Sequence, residues 1–194
     1  MEPKSIEQII SEMRKYIIRD VAAGFSTPDE ISESVVEVFS DEYPPSDLIP
    51  YSKSIIQEEI ESHLREQEKW EEITDCDRLD QAFEDLEHQG IISRQNFSCC
   101  GTCGSAEILD EMLAAKNMGK KVRGYAFYHV QDTESAVEGE GIYLNYGSVY
   151  NNYFAQVLAG HKIAKVIKNH GLKVEWNGSL RRRIFVQLDW KRRR

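Results

Sequence analysis

The chain has 194 residues, with 33 acidic and 24 basic side chains and a net charge of −9. That length suits one domain, or one domain with a helical extension, and is enough to bury a core. No run of about 18 apolar residues occurs, so nothing in the sequence is built to span a bilayer, and a membrane is not an expected partner.

The start, Met1-Glu2-Pro3-Lys4-Ser5, has neither the basic opening nor the apolar run of a secretion signal. The expected compartment is the cytosol. There thiols are largely reduced, and clustered cysteines read as metal-binding or redox-active, not as a disulfide scaffold. The charge is unevenly spread. Residues 1–90 carry 24 Asp/Glu and 8 Lys/Arg, whereas residues 91–194 carry 9 and 16. Two readings follow: an acidic half complements a basic half of the same molecule, or the basic half faces an anionic partner.

Residues 1–90 read as an acidic helical region. Ser5-Ile6-Glu7-Gln8 is a capping box, followed by Ile6, Ile9, Ile10, Met13, Ile17 and Val21 at helical spacing up to Gly24. Thr27-Pro28-Asp29-Glu30 opens a second helix, with Ile31, Val35, Val38 and Phe39 on its apolar face. The three prolines between Ser40 and Tyr51 predict a connector. A third helix is expected over about Ser52–Trp70. A fourth starts near Thr74, with Ile73, Cys76, Leu79, Ala82, Phe83 and Leu86 as its stripe, and stops at Gly90.

Residues 91–194 read as an α+β region, forming one continuous globular unit with the helices before it. Ile91 to Phe97 is a strand that enters a cysteine loop. Ser105 is expected to cap a helix with Ile108, Leu109, Met112 and Leu113 on its stripe. Val122 to His129 and Gly141 to Tyr146 alternate as strands, joined by a polar loop over 131–140. A helix over about Asn152–His170 carries Phe154, Val157, Leu158, Ala164 and Ile167. Asn177-Gly178 then signals a hairpin turn between strands at Leu172–Trp176 and Arg183–Trp190. The expected fold is a mostly antiparallel sheet in the order β-α-β-β-α-β-β, with helices packed on one face.

Three of the four cysteines lie at Cys99, Cys100 and Cys103, in Phe97-Ser98-Cys99-Cys100-Gly101-Thr102-Cys103-Gly104. Cys100 to Cys103 is a C-x-x-C between a strand and a helix, where a helix N-terminus stabilises a thiolate. A thioredoxin fold does not fit, because all five prolines lie at or before Pro50 and none can serve as its later cis-proline. C-x-x-C-Gly is also the turn of a zinc knuckle, but a structural zinc wants four ligands and no second C-x-x-C exists. Completion would draw on Cys99, Cys76 or the histidines at 63, 88, 129, 161 and 170. Adjacent cysteine side chains tend to diverge, which counts against Cys99 and Cys100 sharing an ion, and Cys76 falls on an apolar stripe.

Three alternatives remain: a metal site at Cys99, Cys100 and Cys103, with zinc as the expected ion; a redox or nucleophilic thiol; and cysteines that only pack. For a thiol-dependent enzyme the candidate residues are Cys100, Cys103, His129 and Asp132, with His129 as a base near the thiol. A strand-end histidine and a capping aspartate explain His129 and Asp132 equally well. No Gly-rich phosphate loop, His-Glu-x-x-His or Gly-x-Ser-x-Gly occurs, and no cofactor beyond a metal is implied. Arg181–Arg183 and Lys191–Arg194 hold seven positive charges. They read as a solvated strand end and a frayed terminus, and are the only hint of nucleic-acid binding. A protein partner stays open.

The segments Cys76-Asp77-Arg78-Leu79, Arg94-Gln95-Asn96-Phe97-Ser98-Cys99-Cys100-x-Thr102-Cys103-Gly104, Gly124-Tyr125-x-Phe127-Tyr128-His129-x-Gln131-Asp132-Thr133 and Trp176-x-Gly178-Ser179 resemble a bacterial family known only as a domain of unknown function. The resemblance runs from about Gly24 to Trp190. It implies a fold and a site centred on the Cys-Cys-x-Thr-Cys-Gly core and the His-x-Gln-Asp segment, and no activity. The family usually has His after Cys-Gly. Here Ser105 stands in that place, which removes a nearby candidate ligand or base. The expected protein is a binding or regulatory one whose cysteine loop holds a metal or senses redox state. Its site is Cys99, Cys100 and Cys103, joined by His129, Gln131 and Asp132. The rival readings are the thiol-dependent enzyme and an interaction module without chemistry.

Overall fold

The computed structural model describes residues 5–194; Met1 to Lys4, on which the reading of the N-terminus rests, lie outside them. No helix among the described residues is long and apolar enough to cross a membrane. The chain forms two compact units. One runs through Glu71 and takes in Lys191–Arg194; the other is Glu72–Trp190.

The first unit is a helical bundle of α1 (Ile6–Ala23), α2 (Pro28–Phe39) and α3 (Pro45–Gln67). The Ser5–Gln8 and Thr27–Glu30 capping boxes both form, and Gly24 ends α1 at φ 77°. Each satisfies backbone groups that a helix end leaves open. Ile9, Met13, Ile17 and Val21 meet Ile31, Val35 and Phe39 and, from α3, Leu48, Ile55 and Ile56. Helix α3 starts earlier than the prolines predict. Pro45 stands at the first helical position, where its missing N–H costs nothing. Leu48, Ser52, Ile55 and Ile56 are buried, so the stripe runs through Pro50, and tertiary packing offsets the proline.

The terminal cations are not frayed. The Arg194 side chain donates to the carbonyls of Val21 (2.8 Å) and Ser26 (2.8 Å). Arg193 donates to the Glu71 carbonyl at 2.6 Å, and the Arg192 guanidinium sits 4.1 Å from the Phe25 ring centre. Lys191 pairs with Glu71 at 3.2 Å. Carbonyls at helix ends and an aromatic face take up the charge that the sequence left without a partner.

The second unit opens with α4 (Asp75–His88), capped by a Thr74–Asp77 box. Then come β1 (Ile91–Arg94), α5 (Gly101–Asn117), β2 (Gly124–Phe127), α6 (Val130–Val137), β3 (Ile142–Ser148), α7 (Tyr153–Asn169), β4 (Lys173–Glu175) and β5 (Ile184–Gln187). The strands form one sheet in the order β1-β2-β3-β5-β4. Only β1 and β2 are parallel; the other pairs are antiparallel, which gives the expected α+β, mostly antiparallel sheet.

Helices cover both faces of the sheet, where a single covered face was expected. Ile92 and Phe127 pack on Ile108 and Met112 of α5. Ile91 and Ala126 are also buried and alternate with them, so they point the other way. On that second face Tyr146, opposite Ala126, meets Gly160 of α7. One consequence is that Leu109, Leu113, Phe154 and Leu158, predicted on buried stripes, are exposed. Helix α5 buries Ile108, Met112 and Ala115, one step round from the expected face, and α7 buries Gly160, Ile163 and Ile167.

Two further elements differ from expectation. The polar stretch after His129 is helix α6, because His129 and Asp132 form a capping box and Thr133 and Ala136 face inward. Helix α5 starts at Gly101, four residues before Ser105, so the C-x-x-C occupies its cap and first turn. Gly104 makes that approach possible. A Cβ there would lie 2.6 Å from the buried Phe127 ring. Gly104→Ala is therefore expected to overpack the α5–β2 contact and cost about 1–3 kcal/mol, read as a lowered midpoint in thermal or urea unfolding.

Candidate functional site

The cysteine loop leaves β1 and is tied to the chain that leaves β2. Phe97 N–H donates to the Tyr128 carbonyl at 2.8 Å, and Val130 N–H donates to the Ser98 carbonyl at 3.1 Å. Between these bonds the backbone turns through the left-handed region at two non-glycine residues, Asn96 (φ 49°) and Ser98 (φ 62°). Such positions cost on the order of 1 kcal/mol each and are kept where the surroundings fix them. Here Thr133 Oγ1 donates to Asn96 Oδ1 at 2.7 Å, and Ser98 Oγ donates to Glu107 at 3.0 Å.

The tight turn brings three thiols together. Cys100 is the N-cap of α5 in extended conformation (φ −155°, ψ 171°), and Cys103 lies in the first turn. The sulfurs of Cys99, Cys100 and Cys103 all lie within 4.8 Å of one another. The expected divergence of Cys99 and Cys100 does not occur, because the left-handed Ser98 and the extended Cys100 turn both side chains to one side. Cys99 and Cys103 are exposed and none of the four cysteines is in a disulfide.

The thiols are electrostatically unequal. The backbone N–H groups of Cys103 and Thr102, together with the neighbouring thiols, hold Cys100 below the ordinary thiol value. Cys103 is pushed up to about 11 by Cys99 and Cys100. The helix end thus favours one thiolate, and that negative charge disfavours a second. Three sulfurs this close can ligate one metal ion, whose positive charge would remove the opposition between them.

No histidine or carboxylate completes this group among the described residues. Cys76 is buried in α4. His63 bonds the Arg192 carbonyl, His161 packs edge-on against Trp176 and His170 bonds Asp85. His88 sits in the last turn of α4, and Gln131 is exposed on α6. Ser105 donates its hydroxyl to the Gly101 carbonyl at 2.6 Å.

His129 lies beside the loop but is engaged elsewhere. A Cβ on Gly101 would sit 3.6 Å from His129 Cδ2 and Nε2, so the first turn of α5 rests on the imidazole. Asp132 N–H donates to His129 Nδ1 at 3.4 Å. His129 Nε2 lies 3.2 Å from Arg183 Nη1, which can only donate, and 3.1 Å from Asp132 Oδ2. Arg183 Nη1 bonds both Asp132 oxygens at 3.0 Å and the Tyr143 carbonyl at 3.4 Å. Burial lowers the His129 pKa; the Asp132 charge opposes the shift and the Arg183 charge adds to it.

Arg183 belongs to this group although its sequence context reads as a solvated strand end. Asn145 on β3 belongs there too. Its Oδ1 lies 3.7 Å from where a Gly101 Cβ would be, and its Nδ2 is buried with no hydrogen-bond partner. No sequence pattern marks either residue, because both contacts are long-range. The imidazole, with both nitrogens occupied, acts as a wedge between α5 and α6.

Since His129 is held neutral, its contribution to stability is present in full above the ordinary value of 6.5 and is lost as pH falls through the lowered folded value. His129→Asn is expected to flatten that part of the stability–pH curve. Asp132→Asn is expected to cost about 1–3 kcal/mol by weakening the hydrogen bonds to Arg183 and to lower the His129 pKa further, which an NMR titration reads directly.

Comparison with known proteins bears on the whole chain. No curated protein and no solved structure matches it. The model of one family, described as Domain of unknown function (DUF6891), matches residues 6–194. The match spans both units and includes the cysteine loop, the His129–Asp132 segment and Arg183, so the chain belongs to the DUF6891 family.

Proposed function

We propose that the chain is a cytosolic metal-binding regulatory protein in which Cys99, Cys100 and Cys103 hold a zinc ion as three thiolates, with the fourth position open. The observation that carries this reading is the approach of three sulfurs to within 4.8 Å. Tetrahedral zinc with sulfur at about 2.3 Å separates its sulfurs by roughly 3.8 Å, which rotamer adjustment of exposed cysteines can reach. Cys103 is raised by its thiol hydrogen bonds to Cys99 and Cys100 and then by their charge, and a dication shared by the three sulfurs replaces both. Backbone N–H groups of the first turn of α5 would serve as outer-shell donors to the sulfurs. Free thiols suit a reducing compartment. An open fourth position suits exchange of a ligand, or donation by a partner protein, more than a closed structural site.

A second reading is favoured by the asymmetry of the thiols. A lowered Cys100 beside a raised Cys103 suits a redox pair, in which the Cys100 thiolate attacks peroxide, breaking its O–O bond to give a sulfenic acid and hydroxide, and Cys103 then displaces the sulfenic oxygen as water to close a disulfide. The enzyme reading with His129 as base has less support, since both imidazole nitrogens are engaged. Purely structural cysteines fit poorly with the exposure of Cys99 and Cys103.

Metal analysis and a free-thiol count on chain purified without chelator or oxygen test the proposal. One zinc per chain with protected thiols is expected. Cys103→Ser should weaken zinc by more than the roughly 10- to 100-fold that loss of an outer-shell partner costs. Metal-free protein with reactive thiols that form a Cys100–Cys103 disulfide under peroxide would replace the metal reading with the redox one.

A further inference from the structure

The connection from β4 to β5 carries three arginines in a row at 181–183. Its shape is fixed by bonds that leave the arginine side chains free of that task. Trp176 Nε1 donates to the carbonyls of Ser179 (3.3 Å) and Arg182 (3.2 Å). The Tyr146 hydroxyl donates to the same Ser179 carbonyl at 3.4 Å. Ser179 N–H donates to Asn177 Oδ1, Arg181 N–H donates to Ser179 Oγ, and Gly178 takes the left-handed turn at φ 79°. The indole is itself wedged, because a Cβ on Gly160 of α7 would lie 2.6 Å from it. The loop is therefore preorganised.

The three guanidinium groups behave differently. Arg183 turns inward to Asp132. Arg181 and Arg182 have no carboxylate partner among the described residues. Together the three line a cavity of about 660 Å³, in which Glu175 is the one carboxylate. That volume is in the range of small-ligand sites. Tyr143 and Phe185 supply an aromatic wall, their ring centres 4.9 Å apart and tilted by 44°. The Arg183 guanidinium lies 5.0 Å from the Tyr143 ring centre and so joins cation to wall. Arginines on a floppy loop are satisfied by water. Here a held backbone presents Arg181 and Arg182 side by side in a concave site; Asp132 already neutralises Arg183 and Glu175 is a single carboxylate against the other two, so an anion supplies the charge the site lacks.

We propose that this cavity binds a small phosphate-bearing ligand with a planar ring, of the nucleoside monophosphate type. Arg181 and Arg182 hold the phosphate through bidentate forks, and the ring lies against Tyr143 and Phe185. The cavity is separate from the cysteine cluster but adjoins the His129–Asp132 pair, since Arg183 touches both.

Isothermal titration of the full chain with AMP tests this, with inorganic phosphate and adenosine as partial probes and a short single-stranded oligonucleotide as a competing source of the same chemistry. AMP should bind more tightly than either part. Arg181→Ala combined with Arg182→Ala should weaken AMP by about tenfold or more and flatten its salt dependence, with the unfolding midpoint unchanged. Tyr143→Ala should weaken AMP and leave inorganic phosphate as it was. The proposal is overturned if neither AMP nor phosphate binds at millimolar concentration, or if the double arginine variant keeps full AMP affinity. It is also overturned if the oligonucleotide binds where AMP does not, which would make the loop a nucleic-acid contact.

Discussion

The second unit depends on two backbone hydrogen bonds, Phe97 N–H to the Tyr128 carbonyl and Val130 N–H to the Ser98 carbonyl. Parallel strands β1 and β2 need a crossover, and α5 supplies it. The strands alone would leave the start of that crossover free to wander. The two bonds join the exit of β1 to the exit of β2, so the cap of α5 and the cap of α6 form side by side. Cys100 and His129 are those two cap residues. The meeting of the cysteine loop with the His129–Asp132 segment thus follows from strand pairing, and the strained Ser98 and Asn96 are what that junction requires.

Electrostatics then separates the two polar groups. At the α5 cap, backbone N–H groups face exposed sulfur, and the result is a single favoured thiolate in a crowd of three. At the α6 cap, a buried carboxylate is matched by Arg183 and by a neutral imidazole, and nothing is left over for proton transfer to sulfur. The first group has an unmet demand for positive charge. The second is closed on itself, apart from the Asn145 amide. This contrast favours metal or redox chemistry at the cysteines over a cysteine–histidine catalytic pair.

Local signals carried much of the architecture. The capping boxes at Ser5 and Thr27 are visible within four residues and form as read, and the fourth helix starts at Thr74 as expected. The burial of Cys76 follows from its helical stripe. Where local pattern and tertiary contact disagree, the pattern misleads. Prolines hide the start of α3 until Leu48 is seen to pack in the bundle. The polar stretch after His129 hides α6, because a histidine N-cap is an uncommon sign. The stripe of α5 is displaced by one residue, which no periodicity count distinguishes. At the site, the cysteine motif was legible, whereas the convergence of Cys99 with Cys100 depends on a left-handed serine. The Arg183–Asp132 bonds link residues 51 apart, so Arg183 looked like solvent-facing charge.

The proposed metal site requires three sulfurs to share one ion. Zinc-edge X-ray absorption of the full chain, loaded with one equivalent of zinc under reducing conditions, reads the ligand shell directly. It should show three sulfurs at about 2.3 Å and one lighter atom in the open position. A shell of nitrogen and oxygen, or one with fewer than three sulfurs, would contradict the assignment of the cysteine loop as the metal site.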